Sequence, residues 1–158
     1  MPKQKESIKV LTDLDWSVRA SQTKMRPDYV PKTKFEDTTA NGLTKCIIAW
    51  ITLNGYQAER INTTGRYIDN SKIVTDVLGR KIKIGSGKYI KGTGTKGSAD
   101  ISATIKGKSV KIEVKIGNDR QSEYQKEYEA DIIRAGGIYY IAKDFDNFIN
   151  FYKSLVES

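Results

Sequence analysis

A chain of 158 residues with a net charge of +8 is long enough to bury one substantial core. It has no histidine and a single cysteine, Cys46. This excludes Ser-His-Asp and Cys-His catalysis, histidine-bound zinc, an imidazole general base and an internal disulfide. The polar Met-Pro-Lys-Gln start and the lack of a long apolar run lead us to expect a soluble, cytoplasmic protein with no membrane partner.

Residues 1–38 are polar, carry Pro2, Pro27 and Pro31, and are expected to form an arm with at most a short helix near Ile8–Leu14. A single domain is expected over 39–158. There Leu43, Cys46, Ile47, Trp50 and Leu53 recur at helical spacing after a Thr38-Thr39-Ala40-Asn41 cluster able to cap, and Asn54-Gly55 ends the helix. Cys46 falls on the apolar side of that pattern and reads as a small core residue. Residues 57–62 read as a strand. Lys72–Leu78 and Arg80–Ile84 have β character, and Gly85, Gly87, Gly92 and Gly94 punctuate the stretch after them. Strands are then expected at 99–105 and 109–116 around a Lys106-Gly107-Lys108 turn. A helix at 122–135 comes next, stopped by Gly136-Gly137, then a short strand at 138–142. Phe145, Phe148, Ile149, Tyr152 and Leu155 mark a closing helix. The order α-β-(basic insert)-β-β-α-β-α predicts an α/β fold, a small mixed sheet flanked by helices.

Charge is unevenly spread: residues 1–38 carry +2, residues 39–98 carry +7 and residues 99–158 carry −1. From Arg80 to Lys96 there are six cations and no acid, the footprint of a polyanion binder or of a solvated loop. Two glycine motifs in this region carry little. Gly92-Thr93-Gly94-Thr95-Lys96-Gly97 spells GxGxxG, but a strand rather than a helix is expected after it, where a dinucleotide fingerprint must open a helix. Gly85-Ser86-Gly87-Lys88 lacks both the leading glycine and the Ser/Thr of a phosphate-binding loop. A nucleotide-binding enzyme survives only if the first motif precedes a helix.

The 99–116 hairpin carries the chemistry. Alternation puts Ile101, Ala103 and Ile105 on one face of the first strand, and Asp100, Ser102 and Thr104 on the other. On the second strand Val110, Ile112, Val114 and Ile116 oppose Lys111, Glu113 and Lys115. Two loops keep apolar against apolar: Lys106-Gly107, which sets Asp100 opposite Glu113, and Gly107-Lys108, which sets it opposite Lys115. Either way the two carboxylates lie close enough to share one divalent cation, with the Lys115 amine beside them. An ordinary solvated face with a Glu113–Lys115 ion pair is the plainer alternative. Ser122-Glu123-Tyr124-Gln125 opens the next helix as a capping box, and Gln125 either serves only that box or points its amide into the same cleft.

Gly97-Ser98-Ala99-Asp100, Glu113-Val114-Lys115, Ser122-Glu123-Tyr124-Gln125 and Gly136-Gly137 together resemble the virus-type replication-repair nuclease (VRR-NUC) domain of the PD-(D/E)XK nucleases, whose stand-alone members occur in phages and prophages. The resemblance spans about residues 96–145. It implies a restriction-endonuclease-like core, with Asp100 and Glu113 as ligands of Mg²⁺ (or Mn²⁺), the Val114 carbonyl as a third ligand, Lys115 as catalytic lysine and Gln125 completing the site. It further implies a DNA endonuclease selective for branched or junction structures, acting as a homodimer in the bacterial host cytoplasm. One departure is that residues 42–54 lack the acidic residue many such nucleases carry on the first core helix; Glu36, Asn41 and Glu59 are the candidates to replace it. Lys88, Lys91, Lys96 and Arg120 would hold backbone phosphates, giving salt-sensitive affinity. The rival reading is a catalytically silent basic module that binds DNA or RNA.

Overall fold

The computed structural model describes residues 5–62, 65–92 and 94–157, arranged as two compact units: residues 1–61 with 97–158, and residues 62–96. Thr93, within the GxGxxG match, lies outside the described residues. The chain after that match runs through a turn into a strand, so no helix opens there to meet a pyrophosphate.

The larger unit is built on a four-stranded mixed sheet in the order β1 (Gln57–Arg60), β6 (Ile101–Ile105), β7 (Lys108–Val114), β8 (Ile138–Ala142). The first two pairings are antiparallel and β7–β8 is parallel. The parallel step requires a crossover, supplied by α3 (Glu123–Arg134). The four short strands between β1 and β6 in the chain belong to the smaller unit. In the β6–β7 hairpin Ile101 faces Ile112 and Ala103 faces Val110, which selects the Lys106-Gly107 loop of the two that alternation permits. Lys106 (φ +48°) and Gly107 (φ +75°) both take left-handed backbone, the geometry whose twist matches that of paired strands. The faces of the sheet are thereby fixed, apolar against apolar and polar against polar.

One face is apolar. Ile101, Ala103, Ile105, Val110, Ile112, Val114 and Ala142 join Leu43, Cys46, Ile47 and Ile51 of α2 (Ala40–Leu53), and Phe145, Phe148, Tyr152 and Leu155 of α4 (Phe145–Glu157), in one buried cluster. Each fully buried aliphatic side chain here contributes roughly 1.5–3 kcal/mol by leaving water. Thr39 caps α2 by accepting a hydrogen bond from the Gly42 N–H (3.0 Å), and Gly55, at φ +83°, follows its end. Cys46 is fully buried, and burial pushes its thiol up to about 12.

The N-terminal region differs from expectation. It is not merely an arm with a short helix near 8–14: α1 runs from Glu6 to Gln22, and Ile8 and Leu11 enter the same core. Pro27 and Pro31 lie beyond the helix, in a segment tied back to it by Trp16 Nε1 donating to the Val30 carbonyl (2.9 Å) and Arg19 Nη2 to that of Pro31 (2.7 Å). Asp37, nearly buried, accepts from Lys5 (2.8 Å) and from the Phe145 N–H at the start of α4 (3.1 Å). Burial would raise this carboxyl, but those hydrogen bonds outweigh it and hold the pKa below the usual aspartate value.

The smaller unit contains two short antiparallel pairs, β2 (Arg66–Asp69) with β5 (Gly87–Ile90) and β3 (Lys72–Thr75) with β4 (Lys81–Ile84). Paired residue numbers sum to one constant value in both, so they form a single two-stranded ribbon interrupted near Gly85. Asp76 closes its tip by accepting from the N–H groups of Leu78 and Arg80. No helix among the described residues is long and apolar enough to cross a membrane.

Candidate active site

The first turn of α3 meets the Glu113–Lys115 end of the hairpin's polar face, and there Glu113, Lys115 and Gln125 come together beside Asp100. The observed register continues from Ile101–Ile112 to Asp100 opposite Glu113. Asp100 Oδ2 accepts from the Val114 N–H (2.9 Å), and the Asp100 carbonyl accepts from the Ile61 N–H (2.8 Å), so the residue is clamped between two neighbouring strands. Glu113 and Lys115 are almost wholly buried, at 2% and 8% exposure. Their side chains form an ion pair, Lys115 Nζ to Glu113 Oε1, of 3.1 Å, and Lys115 also reaches Asp119 at 3.3 Å.

Gln125 reconciles the two roles it could have had. Its Oε1 accepts from the Ser122 N–H (2.9 Å), completing the capping box, and from Lys115 Nζ (3.2 Å). With the oxygen so occupied, the Nε2 amide is turned to donate to Glu113 Oε1 (2.5 Å). The local motif that starts the helix thus also orients a side chain in the charged cluster. Gly97 makes this approach possible. It lies at φ +81°, and a Cβ there would collide with the Tyr124 carbonyl and come within 2.9 Å of the Gln125 backbone nitrogen. The glycine of the Gly-Ser-Ala-Asp stretch therefore seats α3 against the chain leading to Asp100.

The electrostatics have a single origin: Glu113 and Asp119 hold the Lys115 ammonium between them, and the Asp100 carboxylate acts on Glu113 from the neighbouring strand. Burial, joined by the Asp100 charge, raises Glu113 above the ordinary glutamate value against the pull of Lys115. Burial would lower Lys115, but the hydrogen bonds and charges of Glu113 and Asp119 outweigh it and raise its pKa. Lys115 is therefore held protonated. The Glu113 Oε2 atom is buried without a hydrogen-bond partner, an arrangement that costs about 1–3 kcal/mol in a protein interior. A cluster with surplus negative charge and an unsatisfied inward oxygen is suited to receive a positive ion.

Lys115 opens onto a cavity of about 310 Å³ that is also lined by Asp119, Arg120, Gln121, Lys126, Ile141 and Lys143. Arg120 is expected there from the sequence. Lys126 and Lys143 are not, because one is on α3 and the other follows β8, and only the parallel crossover brings them together. Lys88, Lys91 and Lys96 are exposed and belong to the smaller unit, Lys88 on β5 and the other two after it. Of the candidate substitutes for an acidic residue on the first core helix, Glu36 and Asn41 line a separate pocket. Glu59, exposed, pairs with Ser102 on β6 and so lies on the polar side of the sheet that also carries Asp100. Among the described residues no group of three His, Cys, Asp or Glu side chains could hold a metal, so Asp100 and Glu113 stand as a pair. Compared with known proteins, the chain matches no family model, no curated protein and no solved structure.

Proposed function

We propose that the protein is a divalent-cation-dependent nuclease acting on DNA, with Asp100, Glu113, Lys115 and Gln125 as its site. The observation that carries this reading is the partnerless Glu113 Oε2, buried within the influence of the Asp100 charge. The residues fit a hard cation: Asp100 and Glu113 would hold Mg²⁺ or Mn²⁺, with the Val114 carbonyl as a third oxygen, and the bound ion would supply polarisation of a phosphate oxygen and acidification of a water. The chain's own part is electrostatic. Lys115, protonated and facing the cationic cavity, stabilises charge that builds on a scissile phosphate. Gln125 fixes the orientation of both Glu113 and Lys115, and Arg120, Lys126 and Lys143 bind phosphates beside them. The resemblance to VRR-NUC domains supports the same residues, and extends the proposal to branched DNA and a homodimer of restriction-endonuclease-like subunits.

A second reading is favoured by one specific feature. Glu113 Oε1 already bonds both Lys115 and Gln125, as it would in a silent nucleic-acid-binding module held together by a buried ion pair. Incubation with plasmid, single-stranded, flap and four-way-junction DNA, with Mg²⁺ and with EDTA, separates the two. The nuclease reading expects Mg²⁺-dependent products that Asp100→Ala and Lys115→Ala abolish in folded protein. Cleavage by Lys115→Ala at the wild-type rate overturns the role of the lysine, and binding without cleavage on every substrate establishes the silent module.

A further inference from the structure

A second cavity, of about 500 Å³, lies in the larger unit where α2 begins, and no residue lining it belongs to the catalytic cluster. Three cations line it from three different elements: Lys34 from the segment before α2, Lys45 from α2 and Arg60 from β1. They face one acid, Glu36. Thr39, Asn41 and Thr44 add polar groups, and Ile48 gives it an apolar wall.

The cavity is built rather than incidental. Arg60 Nη2 donates to Asn41 Oδ1 (2.9 Å), which fixes the guanidinium at the rim while leaving further N–H donors for a ligand. Gly42 lets the Glu36–Thr39 segment lie directly on the helix: a Cβ at this position would stand 2.5 Å from the Glu36 carbonyl oxygen. Lys34 and Lys45 make no ion pair with any acid among the described residues. Two uncompensated lysines and a guanidinium anchored by a neutral amide, gathered in a concave polar site, match the charge and hydrogen-bonding pattern of a phosphate group.

Its position relative to Asp100 narrows the ligand. Arg60 pairs with Ile101, and the next residue, Ile61, donates its N–H to the Asp100 carbonyl. The cavity, on the α2 side of the sheet with Arg60, and the carboxylates, on the opposite side, therefore flank the same end of β6, with Arg60 and Asp100 a residue apart across one strand pair. We infer that this cavity seats a backbone phosphate of the nucleic-acid strand flanking the scissile one, and so sets the strand's path over the end of β6. Cleavage beside that phosphate rests on the nuclease reading; the phosphate site itself does not depend on catalysis.

The test is duplex-DNA binding in EDTA, by fluorescence anisotropy over a range of salt, for wild type, Lys34→Ala, Lys45→Ala, Arg60→Ala and a control, Lys153→Ala, on α4. Removing one phosphate-binding cation reduces the salt slope by about 0.9, which weakens affinity about 8-fold near 0.1 M salt relative to a 1 M reference. At least two of the three cavity variants are expected to show that weakening and slope change, while the control stays within about 2-fold. Cavity variants indistinguishable from the control overturn the inference even if the protein cuts DNA. Weakened binding by the variants of a protein that never cuts leaves the phosphate site standing and removes only the catalytic reading. A further arm titrates a mononucleotide: binding that saturates the cavity and blocks it without weakening DNA assigns the site to free nucleotide and overturns the strand-path inference.

Discussion

The Asp100–Glu113 corner and the ribbon of residues 62–96 handle charge in opposite ways. The corner holds few charges, with Glu113 and Lys115 buried, and its side chains are fixed by neighbours: Asp100 by a backbone N–H, Lys115 by two carboxylates and an amide, and the neutral Gln125 by its own helix cap. The ribbon holds many cations on exposed strands, and its two acids are each engaged with a cation, Asp69 with Lys83 and Asp76 with Arg80. Exposed charges are screened by water and salt and so give diffuse attraction to a polyanion. Buried ones act at full strength on whatever reaches them, provided the fold holds them still. Chemistry is expected from the first arrangement and adhesion from the second.

The largest contrast should be in rate. Glu113→Gln retains the size of the side chain and its contact with Lys115 but removes the charge that draws a cation. Cleavage is expected to fall by about 10²–10³-fold or more, measured as single-turnover rate with saturating Mg²⁺. Lys88→Ala, on the ribbon, is expected to leave that single-turnover rate at saturating enzyme unchanged and to weaken DNA binding in a salt-dependent way. A ribbon variant with a collapsed rate and normal affinity would break the division of labour.

Stability should divide along the same line. Ile47 is fully buried in the core, whereas Ile73 on β3 is 71% exposed. Ile47→Ala is expected to lose about 2–5 kcal/mol in urea unfolding, and Ile73→Ala less than about 0.5 kcal/mol. A smaller but more pointed effect belongs to Gly97→Ala. The added methyl meets the first turn of α3, and the left-handed backbone adds about 1–2 kcal/mol of its own. The variant should lose stability and also catalytic rate at saturating substrate, because displacing the first turn of α3 moves Gln125 away from Glu113. Loss of stability with an unchanged rate would reduce Gly97 to a packing residue.

Most of the corner is legible in the sequence, because each part is a local pattern. Strict alternation sets the faces of β6 and β7, Ser122 and Gln125 spell a cap, Gly107 marks the hairpin turn and Gly136-Gly137 the end of α3. The register is open only between two loops, and the left-handed backbone at Lys106 and Gly107 selects one. The hidden features depend on contacts between distant segments. α1 has only two fully buried residues, Ile8 and Leu11, so its apolar stripe is too thin to stand out among its charges. Lys34, Lys45 and Arg60 meet only because α2 packs beside β1, and Lys143 joins Lys126 only through the parallel β7–β8 step. No spacing along the chain announces such a meeting.

The finest test of the corner uses protons in place of a metal. Glu113 binds its proton more tightly in the folded chain than the ordinary value of 4.5, through burial and the Asp100 charge. A carboxyl raised on folding contributes stability that is fully present below the unfolded pKa, and this is lost as pH rises through the folded one. Lys115, raised above 10.5, does not titrate in that window. The stability of wild type relative to Glu113→Gln should therefore decline as pH rises past the ordinary glutamate value, and then level off once Glu113 is ionised. Urea midpoints of both proteins across about pH 4–8 measure it. The same series with added Mg²⁺ should flatten the decline, because a cation bound at Asp100 and Glu113 stabilises only the ionised, folded form. A wild-type protein that gains on the glutamine variant as pH rises would mean that Lys115 alone satisfies Glu113, leaving no charge surplus at the corner to attract an ion.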